Sequence, residues 1–445
     1  MRRRLRLSHT QIIALGFFLL ILTGTGLLLL PFSRRPGIEI SFLDALFTAA
    51  SASCVTGLVP VDTHSTWTLF GQAVLLVLIQ IGGLGFMTIA TGFLLLLRRR
   101  IGLLSRQILT ESINRTHVGG VIRLAGRIFR ITALCEGLGA LLLSCRFVPE
   151  FGWARGIWFG IFHSVSAFCN AGFDLMGIRE PYSSFVSYID DPLVILTLSA
   201  LIIIGGLGFM VWDDLANHGL HIRRWALHTK AVIFTSAALL IGGMLFFFCS
   251  EAAASLSGEG PLARLLGAFF ASATARTAGF NSVDVAAMSP AGKFMTILLM
   301  FVGGSPGSTA GGAKTTTLLI ILVCSFAYMR NYRTTTVFGR RLPDDSLRKA
   351  CSVFITNLVL TVGATLLLCL IQPLSLTDAL FECTSAVGTV GMTTGITRDL
   401  LPVSRCIIVF LMYCGRVGSL SFASALAEKK APPPVTEPVG NIDIG

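Results

Sequence analysis

Four times along the 445 residues a Phe is followed ten residues later by a Gly, inside a segment too short to cross a membrane: Phe47 and Gly57, Phe162 and Gly172, Phe269 and Gly279, Phe381 and Gly391. The segments read FTAASASCVTGL, FHSVSAFCNAGF, FFASATARTAGF and FECTSAVGTVGM, and their glycines stand 115, 107 and 112 residues apart. A fixed internal period means one structural unit used repeatedly. A chain built this way must close four copies of the unit on one another.

Composition identifies the solvent. Apolar residues make up 53% of the chain and charged residues 13%, with a mean hydropathy of +0.77, where a soluble domain carries about 25% charged residues. A membrane helix needs about 20 mainly apolar residues. Stretches of this kind lie at 11–32, 72–97, 125–148, 193–212, 229–250, 293–328 (broken), 351–372 and 403–427. They form four pairs, each bracketing one Phe-to-Gly segment. The expected fold is an all-α polytopic membrane protein with four tandem helix–pore-helix–helix repeats around a single central pore. The repeats are drawn at 1–100, 101–215, 216–335 (broken second helix) and 336–427, followed by a polar, Pro-rich tail at 428–445.

The net charge of +12 invites a nucleic-acid reading, and its distribution excludes one. Of 35 Lys and Arg, 4 fall in 1–10, 8 in 98–130, 3 in 213–230, 6 in 329–349 and 2 in 428–445. All five segments lie on one side of the eight-span arrangement, which is the positive-inside pattern with both termini cytoplasmic. Anionic lipid headgroups or a cytoplasmic partner suit these loops. The eleven Cys form no CxxC pair and read as small membrane-core residues.

Non-helical backbone at membrane depth is tolerated only where it is buried in protein or lines a water-filled cavity. A half-span that returns through an extended strand leaves carbonyls free to coordinate a dehydrated cation, and Gly reaches the backbone angles that such a strand needs. The candidate ion-binding residues are therefore Val55, Thr56 and Gly57; Asn170, Ala171 and Gly172; Thr277, Ala278 and Gly279; Thr389, Val390 and Gly391. Small residues that only let helices pack closely would explain one copy, but not four at the same offset.

The second helix of each pair carries its own repeat: IGGLGFM at 81–87 and 204–210, VGGSPG at 302–307 and YCGRVG at 413–418. In the third unit Gly303, Gly304, Ser305, Pro306, Gly307, Ser308, Thr309, Ala310, Gly311 and Gly312 cannot continue a helix, and an intramembrane loop is expected there. Lys314 at its end and Arg416 in the fourth glycine motif are cations at a depth that makes them functional candidates. Arg416 is expected just inside the filter as a barrier to cations, or as a ligand of helix-end carbonyls. Gly307, Gly312, Lys314 and Thr315 resemble a nucleotide-binding loop only superficially, since the spacing is off by one residue and no strand precedes it. Asp62, Asp174 and Asp284, shortly after three of the glycines, are candidates for an outer mouth that concentrates cations. Glu136 lies within a span and needs a buried partner.

TGLVPVDT, the two IGGLGFM copies, RTAGFNSVD, GGSPGSTAGGAKTTT and GTVGMTTGIT resemble the signatures of the Trk/Ktr/HKT superfamily of potassium transporters across all four repeats, and most resemble the membrane subunit of bacterial Ktr systems. The resemblance implies a potassium-channel-like fold made from one chain, with filters centred on Gly57, Gly172, Gly279 and Gly391, K+ at backbone carbonyls and a gate made by the loop 303–314 and Arg416. It also implies a homodimer, a cytoplasmic ring of nucleotide-binding RCK subunits, sodium stimulation and, from Gly57, preference for potassium over sodium. No covalent cofactor, nucleic-acid partner or enzymatic activity is expected, since no HExxH, nucleophile elbow or carboxylate cluster appears. The function expected is potassium uptake across the cell membrane; the alternative is an alternating-access carrier for another small solute.

Overall fold

The computed structural model describes residues 8–85, 88–89, 121–332, 334–343 and 345–418. The first repeat consists of α1 (His9–Leu28), α2 (Phe42–Cys54) and α3 (Leu69–Leu84). The second has α4 (Val121–Phe151), α5 (Trp153–Phe168) and α6 (Pro192–Leu207), continued by α7 (Phe209–His218). The third has α8 (Leu227–Ser250), α9 (Pro261–Thr274) and α10 (Pro290–Phe301), then a loop and α11 (Thr315–Met329). The fourth has α12 (Asp345–Ile371), α13 (Leu376–Gly388) and α14 (Pro402–Val417). A two-residue hairpin, β1 (Thr336–Val337) with β2 (Arg340–Arg341), joins the third repeat to the fourth in the register Thr336↔Arg341.

The first helix of every repeat is long and apolar enough to span a membrane. The short helices α2, α5, α9 and α13 have 13, 16, 14 and 13 residues, which at 1.5 Å per residue is roughly 20–24 Å against a ~30 Å hydrocarbon core. Three of the four open on a sequence-encoded start signal. Ser41 and Ser375 cap α2 and α13, accepting from the N–H of Asp44 and Asp378, and Pro261 opens α9.

The glycine motif of a second helix admits close packing or a kink, and the structure shows the kink: α3, α6 and α14 stop at Gly85, Gly208 and Gly418, which have φ of 83°, 97° and 95°. Chain direction changes by 95° between α6 and α7. The equivalent third-repeat residue, Gly307, also has positive φ, 68°. A right-handed helix cannot pass through these angles. The part of 72–97 beyond Ile89, the basic segment 98–120 and the tail 428–445 lie outside the described residues.

The repeats close into a ring because each second helix packs on the short helix of the next repeat: α3 on α5, α6 on α9, α10 on α13, and α14 back on α2. An ion pair between Arg405 of α14 and Asp44 of α2, at 2.5 Å, fastens the last junction. In three repeats the glycine motif also lets the second helix close on the short helix of its own repeat: a Cβ on Gly82, Gly205 or Gly415 would overlap the carbonyl oxygen of Ser53, Phe168 or Val387, the residue four before the repeat glycine in each case.

The aromatic of the repeat fills the space behind each short helix. Phe47, Phe162 and Phe381 are fully buried. In the third repeat the buried ring is Phe270, while Phe269 is half-buried. The reason is register: Thr56, Ala171 and Val390 donate their N–H to carbonyls five residues back, whereas Ala278 donates to Thr274, four back. The equivalent offset in that repeat is therefore nine residues, from Phe270 to Gly279.

Substituting Gly82, Gly205 or Gly415 by Ala should lower the apparent melting temperature of the detergent-purified protein, with overpacking costing about 1–3 kcal/mol. Gly363→Ala, in α12 where an added methyl meets nothing within 4 Å, should leave it unchanged or raise it by about 0.5–1 kcal/mol. Equal effects at both classes of site would contradict the packing role.

Candidate functional site

Past each short helix the chain turns through a left-handed residue two before the repeat glycine: Val55 (φ 57°), Asn170 (58°), Thr277 (82°) and Thr389 (50°). Three of these are β-branched, for which this conformation costs on the order of 1–3 kcal/mol. The glycines follow with φ of 97°, 69°, 84° and 95°. A methyl on Gly57 would overlap the Ala171 carbonyl, on Gly172 that of Ala278, on Gly279 that of Val390, and on Gly391 that of Thr56. The contacts run from repeat one to two, three, four and back to one, so four backbone strands surround one axis.

The strand amides are taken up by the helix ends. Thr56, Ala171 and Val390 donate to Ser51, Ser166 and Ser385 at 2.8 Å, and the hydroxyls of Ser51 and Ser385 accept from the N–H of Gly57 and Gly391 at 3.0 Å. The carbonyls of all twelve candidate residues accept no hydrogen bond from the described residues. Buried carbonyls are nearly always paired, so twelve unpaired ones around one axis form an unusual concentration of free acceptors and partial negative charge. The four short helices end at these strands, and their C-terminal partial negative charges reinforce it.

Side chains brace the strands from behind, and sequence reading missed most of them. His163, beside Phe162, donates from Nδ1 to the Phe159 carbonyl at 2.7 Å and accepts at Nε2 from the N–H of Leu175 at 2.9 Å. Glu382, at the same place in α13, is fully buried and accepts from the hydroxyls of Thr393 at 2.7 Å and Thr397 at 2.5 Å. An ionisable residue directly after the repeat Phe was the available signal. Arg276 reaches away from the axis to the Ser236 carbonyl and hydroxyl at 3.1 and 3.0 Å. Glu136 finds its partner in Gln80 at 3.2 Å.

On one side of the strands lies the loop 303–314. Ser305 donates its N–H to the Gly206 carbonyl at 3.0 Å, Phe209 donates to the Gly307 carbonyl at 2.7 Å, and a Cβ on Gly311 would strike the Thr389 side chain. Val302 and Ala313 form a parallel bridge that closes the loop. Lys314 turns back on the loop, donating to the Ala310 and Gly311 carbonyls at 2.7 and 3.0 Å, where it is committed to protein rather than to a phosphate. Arg416 donates to the carbonyls of Gly82, Gly83 (2.9 Å) and Thr309. Those acceptors belong to the first and third repeats, which are diagonally opposed, so the guanidinium lies across the axis. The carbonyl-ligand reading of Arg416 is the one these hydrogen bonds display.

On the other side the four repeat glycines form the floor of a cavity of about 520 Å3, also lined by Asp174, Glu180, Asp284 and Arg398. Burial and the neighbouring Asp62 charge push the Asp174 carboxyl up to about 7. Asp62 corrects the outer-mouth expectation: it does not line the cavity but is 6% exposed, accepting from the N–H of Ser65 at 2.7 Å and of Tyr182 at 3.3 Å. It caps the one-turn helix Thr63–Thr66.

This architecture is that of a polytopic all-α membrane protein whose four pseudo-repeats enclose a single axis. The chain belongs to the TrkH family, described as a cation transport protein, whose profile matches residues 8–432; this is a family of transporters rather than enzymes. It is 43% identical over 433 residues to the potassium/sodium uptake protein NtpJ of Enterococcus hirae, covering 96% of this chain and 95% of the relative. It is 39% identical over 429 residues to the Ktr system potassium uptake protein B of Bacillus subtilis, covering 95% and 94%. The crystal structure of the potassium transporter TrkH from Vibrio parahaemolyticus superposes with a TM-score of 0.75 at 19% identity, over 96% of this chain and 86% of that one, which shows the same fold.

Asp62→Ala should destabilise the purified protein by about 1 kcal/mol, the usual loss of an N-cap, read as a lower apparent melting temperature. An unchanged melting temperature would return Asp62 to the list of purely electrostatic mouth residues.

Proposed function

We propose that this protein mediates potassium uptake across the cell membrane, conducting the ion through the ring of Val55–Gly57, Asn170–Gly172, Thr277–Gly279 and Thr389–Gly391 carbonyls. One observation carries the reading: twelve backbone carbonyls around one axis have no hydrogen-bond donor among the described residues, which is what a dehydrated monovalent cation requires in place of water. The names of the relatives, a potassium/sodium uptake protein and potassium uptake proteins of Ktr systems, support the choice of ion.

The loop 303–314 with Arg416 acts as the gate. Arg416 places a positive charge across the path and holds the loop to the first repeat, so conduction requires those three carbonyl bonds to break. Lys314 stiffens the loop, while Asp174 and Asp284 draw cations into the outer cavity. The four repeats, with their boundaries near 100, 215 and 335, are parallel copies of one unit, with both termini cytoplasmic. The naming of several relatives as Ktr system proteins supports assembly with further components, which the family resemblance makes a homodimer on a cytoplasmic nucleotide-binding RCK ring; the naming of NtpJ as a potassium/sodium uptake protein supports a part for sodium, which the same resemblance makes stimulatory.

Two outcomes test this reading in proteoliposomes under an inside-negative voltage. Gly57→Ser should reduce the potassium-to-sodium uptake ratio by roughly tenfold, a change of about 1.4 kcal/mol in selectivity; an unaltered ratio would remove the filter assignment. Deleting 303–312 should raise rubidium uptake severalfold, and a folded but silent variant would argue against a gate.

A further inference from the structure

Arg398 is an exposed cation at the outer cavity that the gate does not use. Its place is fixed by the fourth repeat. Gly395, with φ of 107°, turns the chain into the one-turn helix Ile396–Asp399. Within it, Thr397 is drawn inward by Glu382, while Arg398 lines the cavity above the repeat glycines. The Arg398 carbonyl accepts from Arg405 at 2.8 Å. Its guanidinium carbon lies 3.7 Å from the centroid of the Tyr182 ring. Tyr182 belongs to the second repeat, diagonally opposed to the fourth. It is held by its N–H on Asp62 at 3.3 Å and its hydroxyl on the Pro60 carbonyl at 3.4 Å. Both ends of this strap are thus anchored by buried carboxylates, Glu382 and Asp62. Among the described residues Arg398 forms no ion pair, although Asp174, Glu180 and Asp284 line the same cavity.

We propose that Arg398, held over the mouth on Tyr182, is a specificity-determining residue that screens divalent cations out of the pathway while admitting monovalent ones. The inference rests on the uptake reading above. Its physics is the valence dependence of a Boltzmann factor: a fixed charge that lowers the local concentration of a monovalent ion by some factor lowers that of a divalent ion by the square of it. Three carboxylates alone would collect divalent ions in preference to potassium. One fixed guanidinium on an aromatic face weakens that preference without occupying the filter.

The test uses voltage-driven rubidium uptake by the full chain in proteoliposomes at pH 8, with external Ba2+, close to potassium in radius, as the divalent probe. Arg398→Gln should lower the half-saturating rubidium concentration roughly threefold and the half-inhibitory Ba2+ concentration roughly tenfold, the square of the first factor. Arg398→Lys, which keeps the charge, should stay near wild type. Tyr182→Leu, which frees the guanidinium, should fall between. Equal factors for the two ions, or no change in either with the protein correctly inserted, would overturn the screen and reduce the strap to packing. Absence of cation uptake by the wild-type chain and by the loop-deleted variant alike, both correctly inserted, would instead overturn the pore reading, and this proposal with it.

Discussion

Everything in this structure depends on how four stretches of non-helical backbone survive at membrane depth. No lipid can hydrogen-bond them, so each strand gives amides to the end of its own short helix, while its carbonyls accept no hydrogen bond from the described residues. That arrangement requires four strands in mutual contact, and contact requires residues without a Cβ. Gly57, Gly172, Gly279 and Gly391 meet the preceding carbonyl of the neighbouring strand in a closed cycle. Gly82, Gly205 and Gly415 repeat the device one layer out, letting α3, α6 and α14 touch the short helix of their own repeat.

Carrying the four copies on one chain frees them to diverge. The first, second and fourth share a hydrogen-bond register at the short-helix end, and the third is one residue tighter. The third also replaces the glycine kink of its second helix with a loop that docks beneath the strands. Only an asymmetric ring can present a single Arg416 to one loop. The fourth repeat contributes two arginines that contact other repeats near the axis, Arg416 on the loop side and Arg398 on the cavity side. The first is bound entirely to carbonyls. The second rests on an aromatic face, where it keeps its charge exposed to ions.

Much of this was legible in the chain because glycine and periodicity have few readings. The repeat glycines, the broken third unit and the two deep cations follow from steric and dielectric rules that act locally. Other features depend on contacts no local rule foresees. Gly85, Gly208 and Gly418 read as ordinary packing glycines until the positive φ of each shows a helix stop. Phe269 and Phe270 are indistinguishable as letters, and the tighter turn at Ala278 decides which is buried. Asp62 reads like any carboxylate near a mouth, yet caps a one-turn helix.

The sequence by itself determined the solvent, the fourfold unit and the places where backbone must leave the helix, because apolar length, repeat spacing and the allowed angles of Gly and Pro are properties of segments. The tertiary structure alone decided which carbonyls remain unpaired, that Arg416 bridges opposed repeats, and that Arg398 meets Tyr182. Each of these joins residues about a hundred or more positions apart, and such pairings exist only once the ring has closed.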